Sequence, residues 1–74
     1  MDVVALLARE RLAHVSAAVD YLPDQQRTVF TLRFLEEMTI EEIAQATSLR
    51  PGTVKAHLFR AVNAIRRHLQ ERNR

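Results

Sequence analysis

The amino-acid sequence predicts a small all-α domain of four helices that contains a helix-turn-helix. Its 74 residues include a single glycine and are rich in alanine, leucine, glutamate, arginine and glutamine, which favour helices. Apolar residues recur at the three- and four-residue intervals of a helix with one buried face. A chain this short builds one modest core, so we expect residues 1–74 to form a single domain. The predicted helices cover about residues 3–21, 23–35, 39–47 and 51–70.

The first predicted helix has an apolar stripe, and a proline separates it from the second. Pro23 fixes φ and lacks an N–H, so it suits the first position of a helix, where Asp24 complements the helix dipole. The apolar residues of the second helix spread too widely for one stripe. We expect Phe30 and Phe34 to fill the core; the alternative is that one of them contacts a protein partner. The stripe of the first helix consists of Ala8, Leu12, Val15, Val19 and Leu22.

A capping box starts the third helix, and a second proline starts the fourth. The Thr39 hydroxyl is placed to accept from the Glu42 N–H, while the Glu42 side chain reaches back to the Thr39 N–H. Residues 48–50 form a short turn before Pro51. Two helices joined by a tight turn, the second long and basic, are typical of a helix-turn-helix. The predicted buried stripes are Ile40, Ile43, Ala44 and Thr47 in the third helix and Val54, Leu58, Ala61, Ile65 and Leu69 in the fourth.

Positive charge is concentrated in the C-terminal third of the chain. Residues 1–49 carry four arginines against eight carboxylates, a net charge of −4. Residues 50–74 carry six arginines and one lysine against one glutamate, a net charge of +6. This asymmetry indicates that the C-terminal third binds a polyanion.

The fourth helix directs this charge to the side opposite its buried stripe. Each residue turns the helix by 100°, and the outward face contains one aromatic residue and no carboxylate before Glu71. Such a helix fits the DNA major groove, where arginine binds guanine O6 and N7, and the remaining cations pair with phosphates. The face comprises Thr53, Ala56, Phe59, Arg60, Asn63 and Arg67, with Lys55 and Arg66 at its edge.

Several function classes are not supported by the sequence. Its three histidines lack metal-ligand spacing, and no glycine-rich phosphate loop or nucleophile–base set is visible. We therefore expect no enzymatic activity, no cofactor, no bound metal and no small-molecule substrate. No stretch is long and apolar enough to cross a membrane, no targeting signal is visible, and the lack of cysteine suits a reducing compartment. The expected location is cytoplasmic, without a membrane partner.

Three segments, in this order and spacing, resemble region 4 of bacterial sigma factors, and most closely the extracytoplasmic-function (ECF) group. The segments are LPDQQRTVF at 22–30, MTIEEIA at 38–44 and GTVKAHLFRA at 52–61. The resemblance covers about residues 18–70, and divides the domain into an N-terminal helix (1–21), a helix-turn-helix core (22–70) and a C-terminal tail (71–74). It implies recognition of the promoter −35 element, docking on the flap of the RNA polymerase β subunit, and regulation by an anti-sigma factor.

The resemblance also assigns roles to individual residues. It implies that Lys55, Phe59 and Arg60 face the DNA and that Thr53 approaches the backbone. Ala56 replaces the usual serine, and His57 the usual arginine, which makes that contact weaker or pH-sensitive. Ser48 and Arg50 stand where a turn glycine and a capping serine are usual, so Ser48 is expected to adopt a positive φ. The complete predicted DNA-binding set is Arg50, Thr53, Lys55, Ala56, His57, Phe59, Arg60, Asn63 and Arg67.

Two other functions stay open at this point. The DNA-binding domain of LuxR-type response regulators shares the GTVKxH segment and the capped helix, but lacks the LPxxxRxVF entry seen at 22–30. A protein-interaction module for an anti-sigma factor or another regulator would use the same helices with little DNA affinity. The apolar residues near the start of the first helix exceed what one stripe requires, which leaves packing on the domain, self-association and mobility as alternatives.

Overall fold

The computed structural model describes residues 2–72, and within them four helices follow one another. They are α1 (Val3–Asp20), α2 (Asp24–Phe34), α3 (Ile40–Thr47) and α4 (Pro51–Arg72). The predicted all-α class is confirmed. The longest helix, α4, packs against each of the other three, so it forms the centre of the domain. None of the described helices is long and apolar enough to span a bilayer.

All helix boundaries lie within two residues of the predicted ones, and two of the differences have a clear structural reason. Pro23 is the N-cap of α2 rather than its first helical residue: it has an extended ψ of 151°, and its carbonyl accepts from the Arg27 N–H at 2.9 Å. The fourth helix continues to Arg72, because neither proline nor glycine interrupts it after residue 70. Residues 71 and 72, predicted as tail, are therefore helical, and residues 73 and 74 lie outside the described part of the chain.

The core consists of two clusters that share α4. The first, here called the α1 cluster, joins α1 to the middle of α4, and the second, here called the turn cluster, joins α2, α3 and the start of α4. The predicted stripes of α3 and α4 are confirmed, since every member is buried or half-buried. The α1 cluster contains Ala18, Leu22, Ala61 and Ile65, and the turn cluster contains Val29, Ile43, Ala44 and Val54.

The predicted stripe of α1 is wrong in its N-terminal part. Ala18, near the C-terminal end of α1, is the residue of this helix that is buried, whereas Leu12 is 69% exposed and Ala8 is also exposed. Leu12 precedes Ala18 by six positions, so the two side chains point about 120° apart around the helix and Leu12 is turned away from α4. The apolar residues of α1 occupy more than one face, and packing on α4 selects the face around Ala18.

The expectation that both phenylalanines of α2 fill the core is wrong for Phe34. Phe30 packs against the α1 cluster, but Phe34 is 54% exposed and contacts the Phe30 ring, with centroids 4.7 Å apart. Phe34 is the last residue of α2, so it lies one turn beyond Phe30, where it stacks on that ring and leaves the rest of its surface open.

The predicted capping box of α3 is confirmed. The Glu42 N–H donates to Thr39 Oγ1 at 3.1 Å, and the Thr39 N–H donates to the Glu42 carboxylate at 2.9 Å. The hydrogen bond from the Thr39 backbone, followed by the one with its side chain, holds the pKa of Glu42 below its usual value. The ionised carboxylate therefore favours the folded chain.

We expect the free energy of unfolding of Glu42→Gln to fall less steeply with decreasing pH than that of the unaltered chain. Because the folded-state pKa of Glu42 is lowered, its contribution is present above the unfolded value of 4.5 and is lost as pH falls through the folded pKa. Urea unfolding between pH 3 and 7 measures the free energy of unfolding of each variant across the range in which a glutamate titrates. Glu41→Gln, the neighbouring glutamate outside the box, is the matched control. An equal flattening by both variants would assign the effect to first-turn charge in general.

The predicted positive φ of Ser48 is also confirmed. Ser48 ends α3 in the left-handed region, with φ 61° and ψ 22°, and turns the chain toward α4. The Cβ of a non-glycine residue costs about 1–2 kcal/mol in this conformation.

Replacing Ser48 by glycine is therefore expected to raise the free energy of unfolding. The gain should be about 0.5–1 kcal/mol, because relief of the left-handed strain exceeds the added entropy of the unfolded chain. A shift of the urea midpoint without a change in slope measures it. Ser48→Ala keeps the Cβ and serves as the control; a gain of the same size with alanine would contradict the backbone explanation.

Candidate nucleic-acid interface

The turn cluster sets the direction in which α4 presents its side chains. Val29 of α2, Ile43 of α3 and Val54 of α4 are fully buried, so the three helices meet at one close-packed point. Ala61 and Ile65 are buried further along the same side of α4. With one side of the helix fixed at both ends, the opposite side must face solvent.

The structure places most of the predicted DNA-binding residues on the surface. Ala56 and Asn63 are half-buried although they lie opposite Val54 on the helix, and His57 lies nearer the core. The exposed ones are Arg50, Thr53, Lys55, Phe59, Arg60 and Arg67, and the half-buried ones are Ala56, His57 and Asn63.

His57 lies closer to the core than the other members of this set. It follows Val54 by three residues, so it lies about 60° from that buried side chain on the helix. Its Nδ1 is buried and has no hydrogen-bond partner. The predicted DNA contact of His57 stays a prediction.

Four of the predicted residues meet in one open cleft of about 470 Å³. Phe59, Arg60, Asn63 and Arg67 form its α4 wall, together with Ala64. The other wall comes from the start of α2. The remaining predicted residues, from Arg50 to His57, lie outside this cleft, toward the first two turns of α4.

Lys55, Arg60, Arg66 and Arg67 of α4 have no carboxylate partner among the side chains that the structure describes. The ion pair found among the side chains of residues 2–71 joins Arg27 Nη2 to Asp24 Oδ1 at 2.7 Å, within α2. This pair occupies the carboxylate at the start of α2, close in sequence to the cleft residue Gln26. Positive charge on α4 is therefore left to attract an external anion.

Phe59 adds an apolar surface to this basic face. Its side chain is 72% exposed and lines the cleft together with Arg60 and Asn63. An exposed ring among cations fits contact with a thymine methyl group, and guanidinium groups beside it fit guanine edges or phosphates. The face can thus supply both base readout and backbone contacts.

Pro23 and Gln26 complete the cleft and were not among the predicted site residues. Gln26 and Asn63 are separated by half of the chain, so no local pattern places them together. The unpaired basic charge that pointed to α4 is not found in this part of α2, where the neutral amides Gln25 and Gln26 lie between the paired Asp24 and Arg27.

The chain matches the family described as "Sigma-70, region 4" over residues 13–70. It is 43% identical over 49 residues to the RNA polymerase sigma factor SigV of Bacillus subtilis, which is 66% of this chain and 30% of that protein. It is 39% identical over 66 residues to the RNA polymerase sigma-H factor of Pseudomonas aeruginosa, which is 89% of this chain and 34% of that protein.

A third relative is the ECF RNA polymerase sigma-E factor of Salmonella typhimurium. The identity is 35% over 65 residues, which is 88% of this chain and 34% of that protein. The chain therefore spans about a third of the length of the curated relatives it matches.

Proposed function

The chain belongs to the sigma-70 region 4 family, in its ECF group, and from this membership we propose that it binds the promoter −35 element. In this role α4 enters the major groove of the element and directs RNA polymerase to initiate transcription. Its site of action is the cytoplasm, where promoter DNA and polymerase meet. It acts as a binding domain and not as an enzyme.

One observation carries the proposal: the exposed face of α4 is basic, has no acid before Glu71, and presents Phe59 beside Arg60. Arg60 supplies the bidentate donor pair that recognises guanine. Lys55 and Arg67 supply phosphate contacts on either side of it, and Thr53 in the first turn approaches the backbone.

The alternative of a LuxR-type response-regulator domain is less well supported. The family match extends over residues 13–70 and includes the LPDQQRTVF segment at 22–30, which opens α2. In the structure this segment supplies buried Leu22 and Val29, one to each core cluster. The segment that separates the two families is thus part of the packing that orients α4.

A second surface suits a protein partner. Phe34 and Leu35, at the end of α2, are 54% and 73% exposed, next to Glu36 and Glu37. Neither residue lines the cleft on α4, so a protein bound here leaves that cleft open. We propose that this surface docks on the β-subunit flap and that an anti-sigma factor competes for it.

Arg60→Ala tests the DNA proposal. A preferred duplex is first selected from a randomised pool with the 74-residue chain, and binding to it and to its scrambled version is then measured across salt. We expect a loss of about 10- to 100-fold on the selected duplex, because one bidentate pair contributes roughly 1–3 kcal/mol of discrimination.

Arg9→Ala, which removes an exposed arginine of α1, is the matched control and should leave both affinities nearly unchanged. Equal losses on the two duplexes with Arg60→Ala would contradict base readout by this residue. Absence of DNA binding by the unaltered chain at high protein concentration would favour the protein-interaction module instead.

Leu35→Ser tests the protein-docking surface. Binding of an isolated flap fragment should weaken by about tenfold, since a largely exposed leucine loses its apolar contact, while duplex binding should persist. Phe59→Ala should do the reverse, with weaker duplex binding and unchanged flap binding. Loss of both activities in Leu35→Ser, or of neither, would contradict a separate docking surface.

A further inference from the structure

The cleft beside α4 has a second wall that the recognition helix does not provide. We propose that Gln26 of α2, with Asn63 and Arg67 of α4, binds the phosphate backbone of one DNA strand while α4 occupies the groove. This inference rests on the proposed DNA-binding function and extends the interface to a second helix.

The chemistry of the cleft favours a phosphodiester. Gln26 and Asn63 are half-buried amides, each with two N–H donors, and Arg60 and Arg67 carry guanidinium groups. No carboxylate lines this cleft. Phosphate oxygens only accept hydrogen bonds, so walls rich in donors and free of acids suit them.

A cleft of similar volume elsewhere in the domain lacks this character. Between α1 and the end of α4, about 470 Å³ is enclosed by apolar side chains, by His14, and by Glu10 with Arg11. The Glu10 carboxylate there offsets the charge of Arg11, so that cleft has no net attraction for an anion. Two guanidinium groups without a carboxylate therefore distinguish the cleft that contains the predicted DNA-facing residues.

The positions along α4 fit a backbone contact rather than base readout. Arg67 lies seven residues after Arg60, or about 10 Å along the helix axis. If the first turns of α4 lie in the groove, its later turns pass the edge of the groove, where the phosphates are. Gln26 faces this later part, across from Asn63 and Arg67. A contact there would fix the angle of α4 in the groove.

Two neighbouring glutamines provide the test. Gln26 lines this cleft, whereas Gln25 is exposed and lines a different one with Thr47 and Leu49 at the end of α3. Gln26→Lys and Gln25→Lys add the same charge to the same helical turn, so its unfavourable interaction with the helix dipole destabilises both variants equally. The salt dependence of duplex binding is measured for each variant and for the unaltered chain.

We expect Gln26→Lys to bind about three- to tenfold more tightly at low salt and to steepen the log–log salt slope by about 0.9, the value for one added phosphate contact. The gain should be equal on the selected and the scrambled duplex, because phosphates carry no sequence information. Gln25→Lys should change the slope much less.

Equal effects of the two variants would overturn the cleft contact and attribute the gain to net charge. A gain confined to the selected duplex would also overturn it, since that result indicates contact with bases. Both outcomes leave the proposed function intact, because it depends on the unaltered chain and on Arg60→Ala. Absence of duplex binding by the unaltered chain would overturn both.

Discussion

The burial of one side of α4 in two clusters is the constraint on which the rest of the domain depends. Val54 is fully buried against Val29 and Ile43, and Ala61 is fully buried in the α1 cluster two turns later. A helix held at two points along one side cannot rotate, so the directions of its other side chains follow from the 3.6-residue period. The exposure of Phe59 and Arg60 is therefore a consequence of core packing.

Two carboxylates of the domain have structural roles away from the basic face of α4. Glu42 closes the capping box of α3, and Asp24 pairs with Arg27 in α2. Negative charge at the start of a helix is stabilising, because it complements the backbone N–H groups there. These two acids thus stabilise the supporting helices, while Lys55, Arg60 and Arg67 of α4 remain available to an external anion.

A domain of 74 residues also leaves apolar side chains uncovered. Phe34 and Leu35 at the end of α2, and Leu12 on α1, remain exposed because α4 offers each helix only one contact surface. Exposed apolar surfaces of this kind are suitable for docking a protein partner. The proposed functions then use different sides of the molecule: DNA on the outer side of α4, and protein at the end of α2.

The sequence by itself determined the four helices, the capping box at Thr39 and Glu42 and the buried stripe of α4, whereas the positive φ of Ser48 was expected from the family resemblance. Each depends on neighbours within one or two turns, so a local pattern is sufficient. Only the tertiary structure decided which apolar face of α1 is buried and that Phe34 is exposed, because several faces of these helices are apolar and packing chooses among them. It alone brought Gln26 to Asn63, because contacts between distant segments arise from the arrangement of helices, which no local pattern encodes.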